Sequence, residues 1–314
     1  MDKALELIKL LGQSDDYFER QKAAWALANL GETAIDPVAK ALEAGEFSDL
    51  RYKSAWILGK IGSQRAVEPL CRALLNDPDH VVREWSAAAL EAVGSREAAP
   101  ALVLAMKNDS SKDVRLRAAV ALRSLRAADE LRSLLSHPEP EVRGLAVTGL
   151  AKIGHRESLD EAARLLEDED TEVRRRTAAF MAEFACDEAL DSLARLLRDA
   201  DPAVRTEALK SLGKIKGERA CALALEALQD EDWNVRYTAT TALGEIGHSN
   251  ALDRLVEIMF GQDDEEIRAW AAWSLGEIGD VRAVEHLQKA YKTCPTEVMK
   301  MARDSLVEVF KIEI

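Results

Sequence analysis

QRAVEPLCRALLNDPDHVVREWSAAALEAVG, residues 64–94, decides the fold. Its first half, AVEPLCRALL, spaces apolar residues as one face of a helix. An acidic loop with a proline, NDPD, breaks that helix. The second half, HVVREWSAAALEAVG, is again helical and stops at Gly94, where glycine suits a left-handed cap. Working outward, Arg83 recurs as Arg20, Arg51, Arg115, Arg143, Arg174, Arg205, Arg236 and Arg268, in steps of 31, 32, 32, 28, 31, 31, 31 and 32 residues. One further step reaches Met299, where the arginine is lost. Self-similarity at such a period marks a solenoid of stacked supersecondary units. The expected fold is all-α: a right-handed α-solenoid of about ten helix pairs, A then B, with no strand.

Other repeat positions agree. The glycine stop returns at Gly31, Gly62, Gly154, Gly247 and Gly279. Four residues before the arginines stand Asp16, Asp79, Ser111, Glu139, Asp170, Asp201, Asp232 and Asp264. Most are good N-caps, and the acidic ones suit the positive end of a helix dipole. Pro140 and Pro202 follow this position, where proline is tolerated. Helix B is therefore expected over 17–30, 48–61, 79–93, 111–125, 139–153, 170–184, 201–215, 232–246, 264–278 and 295–312. The 28-residue step predicts a clipped helix A near 127–136. No linker interrupts the series, so residues 1–314 read as one continuous solenoid.

Composition narrows the function classes. Aromatics make up 5% of a chain that is 47% hydrophobic, so alanine and leucine, strong helix formers, build the core. A net charge of −14 argues against broad nucleic-acid binding and against an anionic membrane surface. Cys71, Cys186, Cys221 and Cys294 are scattered and read as reduced thiols of a cytoplasmic protein. The start, MDKALELIKLLGQSDD, reads as an amphipathic helix rather than a signal peptide. No apolar run approaches a membrane span.

The segments VREWSAAALEAVG, VRYTATTALGEIG and IRAWAAWSLGEIG resemble the short HEAT-like repeat known from phycobilisome lyases, and the resemblance covers essentially the whole chain. The tetratricopeptide and ankyrin signatures are absent. The resemblance implies that the arginine forms a structural ladder with an aspartate six residues earlier, in its own or an adjacent loop. The ladder would then comprise Arg83, Arg115, Arg174, Arg205 and Arg236 with Asp77, Asp109, Asp168, Asp199 and Asp230. It should weaken at units carrying Ser14, Gly45, His137 and Gln262 instead. Deoxyhypusine hydroxylase, an enzyme of similar architecture, binds two irons through His-Glu pairs directly after the repeat arginine. Here those positions read, for example, Glu84-Trp85, Arg175-Arg176 and Ala269-Trp270, and none is His-Glu. The five histidines are dispersed, so no metal site, no cofactor and no catalytic constellation is expected.

Solenoids of this kind bind on the concave side, which the resemblance assigns to helix B. Positions −1, +3, +4 and +7 from the arginine are apolar or small and read as core. Positions +1, +2, +5 and +9 form the free ridge. Trp25, Tyr52, Trp56, Trp85, Tyr237, Trp270 and Trp273 lie on it, in two groups, with Arg117, Arg175, Arg176 and Lys210 between them. Nine Lys or Arg against five Glu give the ridge a balance of +4. Trp85 and Trp270, at +2, are expected to be more exposed than Trp25 and Trp56, because +5 borders the core face. These features favour a non-enzymatic scaffold holding a partner protein. A chaperone for an anionic tetrapyrrole, as in bilin lyases, and a nucleic-acid binder like HEAT-like DNA glycosylases are the alternatives. The acidic charge counts against the latter.

Overall fold

The computed structural model describes residues 2–312, which contain helices and no strand. They form two compact units, Met1–Ile153 and Gly154–Ile314. The first unit holds α1 (Asp2–Gln13) and α2 (Tyr17–Asn29), α3 (Ile35–Ala44) and α4 (Ser48–Ile61), and α5 (Val67–Asn76) and α6 (His80–Val93). α7 (Ala99–Asn108) and α8 (Lys112–Ser124), then α9 (Ala128–Arg132) and α10 (Pro140–Ile153), complete it. The second unit holds α11 (Leu159–Ala163) and α12 (Thr171–Met181), α13 (Asp187–Leu196) and α14 (Pro202–Ile215), and α15 (Glu218–Glu226) and α16 (Trp233–Ile246). α17 (Leu252–Phe260) and α18 (Glu265–Ile278), then α19 (Ala283–Thr293) and α20 (Thr296–Asp304), follow. Odd-numbered helices are the A helices and even-numbered ones the B helices.

The expected boundaries hold where the sequence carries caps. Asp16, Asp79, Asp170, Asp201 and Asp232 each accept a backbone N–H at the start of their B helix. Gly94 closes α6 at φ +74°, a left-handed conformation that costs glycine nothing and other residues strain. In the fourth and seventh units, which lack the glycine at that position, Arg126 (φ +52°) and Lys216 (φ +63°) take the strained turn. The helix expected over 170–184 ends at Met181, because the Glu183 and Phe184 amides fold back onto the carbonyls of Phe180 and Met181. The last B helix ends at Asp304 and continues as a π turn, Ser305–Val309. The clipped helix A of the fifth pair is α9, five residues long. α11 is equally short and runs on as a 3-10 turn, Arg164–Glu167.

Each A helix packs on its own B helix. In the third pair Val67, Leu70 and Leu74 meet Val82, Ala87 and Leu90, all buried. Burial of such a side chain contributes ~1.5–3 kcal/mol. Successive B helices approach more closely than successive A helices, which puts the B layer inside the curve of each unit. Small residues allow this. A Cβ at Gly59 would lie 2.8 Å from Ala89 Cα, and one at Gly244 would lie 2.9 Å from Ser274 Cα. Ser211 donates to the Ala178 carbonyl and Ser274 to the Thr240 carbonyl, tying neighbouring B helices together.

Candidate functional site

The ladder is built from two contacts per arginine. One guanidinium nitrogen donates to the backbone carbonyl six residues earlier, as Arg83 does to Asp77 (2.9 Å) and Arg174 to Asp168 (2.8 Å). The other edge reaches the aspartate of the following loop. Arg51 pairs with Asp77 and Arg83 with Asp109, each at 2.7 Å through Nε. Arg174 pairs with Asp199 and Arg205 with Asp230, again at 2.7 Å. The carboxylate six residues before an arginine therefore serves the preceding arginine, while its carbonyl serves its own. This resolves which loop supplies each partner. The weak rungs move accordingly, one unit earlier than the missing aspartate.

Gly45 leaves Arg20 with Asp49 only at 4.0 Å, and its buried Nε has no hydrogen-bond partner. In place of His137, Glu141 from the next helix takes Arg115. In place of Gln262, Asp263 takes Arg236 at 3.2 Å, a looser contact. Arg268 reaches only the Met259 carbonyl. Burial pushes the Asp109, Asp199 and Asp230 carboxyls up. The arginine and amide hydrogen bonds outweigh it and hold all three below the usual carboxylate range. The same bonds raise Arg83, Arg174 and Arg205. These groups staple neighbouring loops together as ion pairs.

On the ridge of the first unit the rings touch across repeats. Trp25 and Trp56 meet edge to face at 5.1 Å, and Tyr52 stacks on Trp85 at 6.1 Å. Lys60 lies over both tryptophans and Lys53 over Tyr52. Burial, with Asp49 bonding its hydroxyl, pushes Tyr52 up to about 12. The expected order of exposure is reversed between Trp85 and Trp25 but holds between Trp85 and the half-buried Trp56. Trp25 is 52% exposed and Trp85 is 38% exposed. Tyr52 covers part of Trp85.

On the ridge of the second unit, Trp233 stacks on Tyr237, which meets Trp270, which meets Trp273. All four keep part of their surface in solvent. Trp233 lies outside the four ridge positions read from the sequence. It stands four residues before Tyr237 on the same face, and that spacing is the signal that reveals it. Arg175 and Arg176 both pair with Glu172, while in the first unit Arg117 reaches Glu84 at 3.7 Å. Glu172 off the ridge and Glu84 on it thus partly neutralise these cations. Lys210 is exposed.

Concave pockets lie elsewhere. A cleft of about 440 Å³ opens between α3 and α5, lined by Gly45, Arg51, Arg72 and Asp77. Another of about 540 Å³ is lined by Asp230, Arg236, Arg254 and Asp263. Both are inter-repeat crevices along the ladder. Among the described residues, no three His, Cys, Asp or Glu side chains cluster as metal ligands. No helix there is long and apolar enough to cross a membrane.

Comparison with known proteins agrees with this geometry. The pattern of HEAT repeats matches residues 4–91, 35–123, 128–179, 162–231 and 222–307. The chain belongs to the HEAT-repeat family. The match is to HEAT repeats at large and does not single out the phycobilisome lyases, and no finding supports a tetrapyrrole ligand. A comparison with curated protein sequences finds no significant match. Among solved structures, the chain is similar to the Kap95 solenoid of a Kap95:Nup1 complex, with TM-score 0.69 and 15% identity over 99% of this chain and 52% of that one. It is also similar to yeast importin-beta (Kap95p) itself, with TM-score 0.63 and 16% identity over 98% of this chain and 49% of that one. The HEAT-repeat chain thus spans about half the length of these importin-beta chains.

Proposed function

We propose that this protein is a non-enzymatic interaction scaffold that holds a partner protein against the B-helix ridges. The observation that carries the reading is the clustering of part-exposed aromatic rings there. Solenoids use the inside of their curve for binding. Tryptophan, tyrosine and arginine dominate interface hot spots. Trp25, Tyr52, Trp56 and Trp85 supply such a surface in the first unit. Tyr237, Trp270 and Trp273 supply it in the second, with Arg117, Arg175, Arg176 and Lys210 as polar contacts. Kap95p, of similar fold, has been solved with the protein Nup1, which is the use this reading assigns to the ridges here. Four free cysteines support a cytoplasmic setting for this binding.

Affinity capture with the tagged chain, followed by hydrogen exchange on the complex with the captured partner, tests the reading. Protection should appear in α2, α4, α6, α16 and α18. Protection confined to the A helices would overturn it.

A further inference from the structure

The two aromatic clusters differ in the charged groups set against their rings. In the first unit the cluster brings its own cations: Lys60 Nζ lies 6.0 Å from the Trp25 ring centre and 5.7 Å from that of Trp56, and Lys53 Nζ lies 5.8 Å from that of Tyr52. In the second unit four rings run in an unbroken chain, with centres 5.2 Å apart from Trp233 to Tyr237, 5.7 Å to Trp270 and 5.3 Å to Trp273. Among the described residues, no lysine or arginine lies over any of these four rings.

Carboxylates flank the second chain of rings instead. Glu266 stands one turn before Trp270 on α18. It acts on Tyr237, whose hydroxyl is pushed up by burial and then by that carboxylate. Glu277 follows Trp273 by one turn on α18 and is exposed, whereas the Glu245 carboxylate lies against Gly213 of α14. On the α20 side, Lys300 is engaged by Glu297 at 2.7 Å. Lys210 and Lys214 on α14 are exposed cations of the opposite flank.

Aromatic faces are negative, and a cation within ~6 Å of a ring centre is attracted to them. Rings with carboxylates beside them and no internal cation over them are therefore an empty cation seat. In the first cluster Lys60 already occupies the faces of Trp25 and Trp56, while Lys53 is paired with Asp49 at 2.6 Å. We propose that the strip formed by Trp233, Tyr237, Trp270 and Trp273 receives an arginine or lysine side chain from a basic segment of the partner protein. This rests on the ridge reading above and names the partner's chemistry at one cluster. Arginine fits better than lysine, because its planar guanidinium stacks on rings while donating to carboxylates.

The test uses three fluorescein-labelled peptides of alternating residues: arginine-glycine, its citrulline counterpart, and its glutamate counterpart. Each is titrated into the full chain and followed by anisotropy. The arginine peptide should bind, and the citrulline peptide, which has the same shape without the charge, should bind about tenfold more weakly. Trp270→Ala keeps every charge and should weaken the arginine peptide by about tenfold, with Val281→Ala, an exposed apolar residue off the ridge, close to wild type. Circular dichroism checks that each variant is folded. Glu266→Gln leaves the rings in place and should weaken binding about threefold. Equal binding of the arginine and citrulline peptides, or full binding by Trp270→Ala and Trp273→Leu, overturns the proposal. Binding of the glutamate peptide that is lost in Trp85→Ala overturns it while leaving the ridge reading intact.

Discussion

Arg205 donates to the Asp199 carbonyl on one side and to the Asp230 carboxylate on the other, so one side chain holds two loops at a fixed spacing. Its removal leaves a carboxylate that is 13% exposed without its charge partner. Arg205→Ala and Arg174→Ala should therefore cost about 2–4 kcal/mol in urea unfolding. Arg20→Ala and Arg268→Ala, which lack a close carboxylate, should each cost less than about 1 kcal/mol. Equal shifts for all four would contradict the pairing. The depressed carboxyls also set an acid limit. Asp109, Asp199 and Asp230 have folded values below the unfolded one, so their stabilisation is complete above the unfolded value, about 3.9. It is lost as pH falls through the folded values. The thermal midpoint should drop below about pH 4, and Arg205→Ala should flatten that drop. The arginine period made the ladder legible. Its register was not legible, because an aspartate six residues before one arginine is also one loop beyond the previous arginine, and only the stacking of the loops decides between them.

Helix boundaries were legible wherever aspartate caps and glycine stops stand in the chain. The spacing of the B helices was not, because it depends on pairs from different repeats, such as Gly244 with Ser274. Gly244→Ala would place a methyl 2.8 Å from Ser274 Oγ and 2.9 Å from its Cα. It should destabilise by roughly 1–3 kcal/mol, read by thermal or urea unfolding, since the neighbouring backbone must move. Lys216 offers the opposite case. Its φ of +63° and ψ of −173° fall in a region that glycine alone occupies readily. Lys216→Gly should raise stability by about 1 kcal/mol, and an unchanged or lowered midpoint would contradict the strain. The same dependence on stacking explains the exposure of the tryptophans. Position along one helix placed Trp25 near the core face, yet what lies beside α2 decides how much of its ring water reaches.

At the scale of the whole molecule, a chain of −14 net charge carries a ridge of opposite balance with two aromatic clusters, one in each unit. Repetition made the solenoid plain, because a contact needed in every unit is written in every unit. A binding surface is written once, so its residues stand out only as departures from the repeat, as Trp85 and Trp270 do. The most direct test of the ridge account is the affinity of a captured partner for the wild type, for Trp85→Ala with Trp270→Ala, and for Arg164→Glu on the A-helix side, measured by calorimetry. The account predicts that the double variant loses about 2 kcal/mol or more while keeping its helical spectrum, and that Arg164→Glu binds as wild type does. Normal binding by the double variant, or a larger loss from Arg164→Glu, would contradict it.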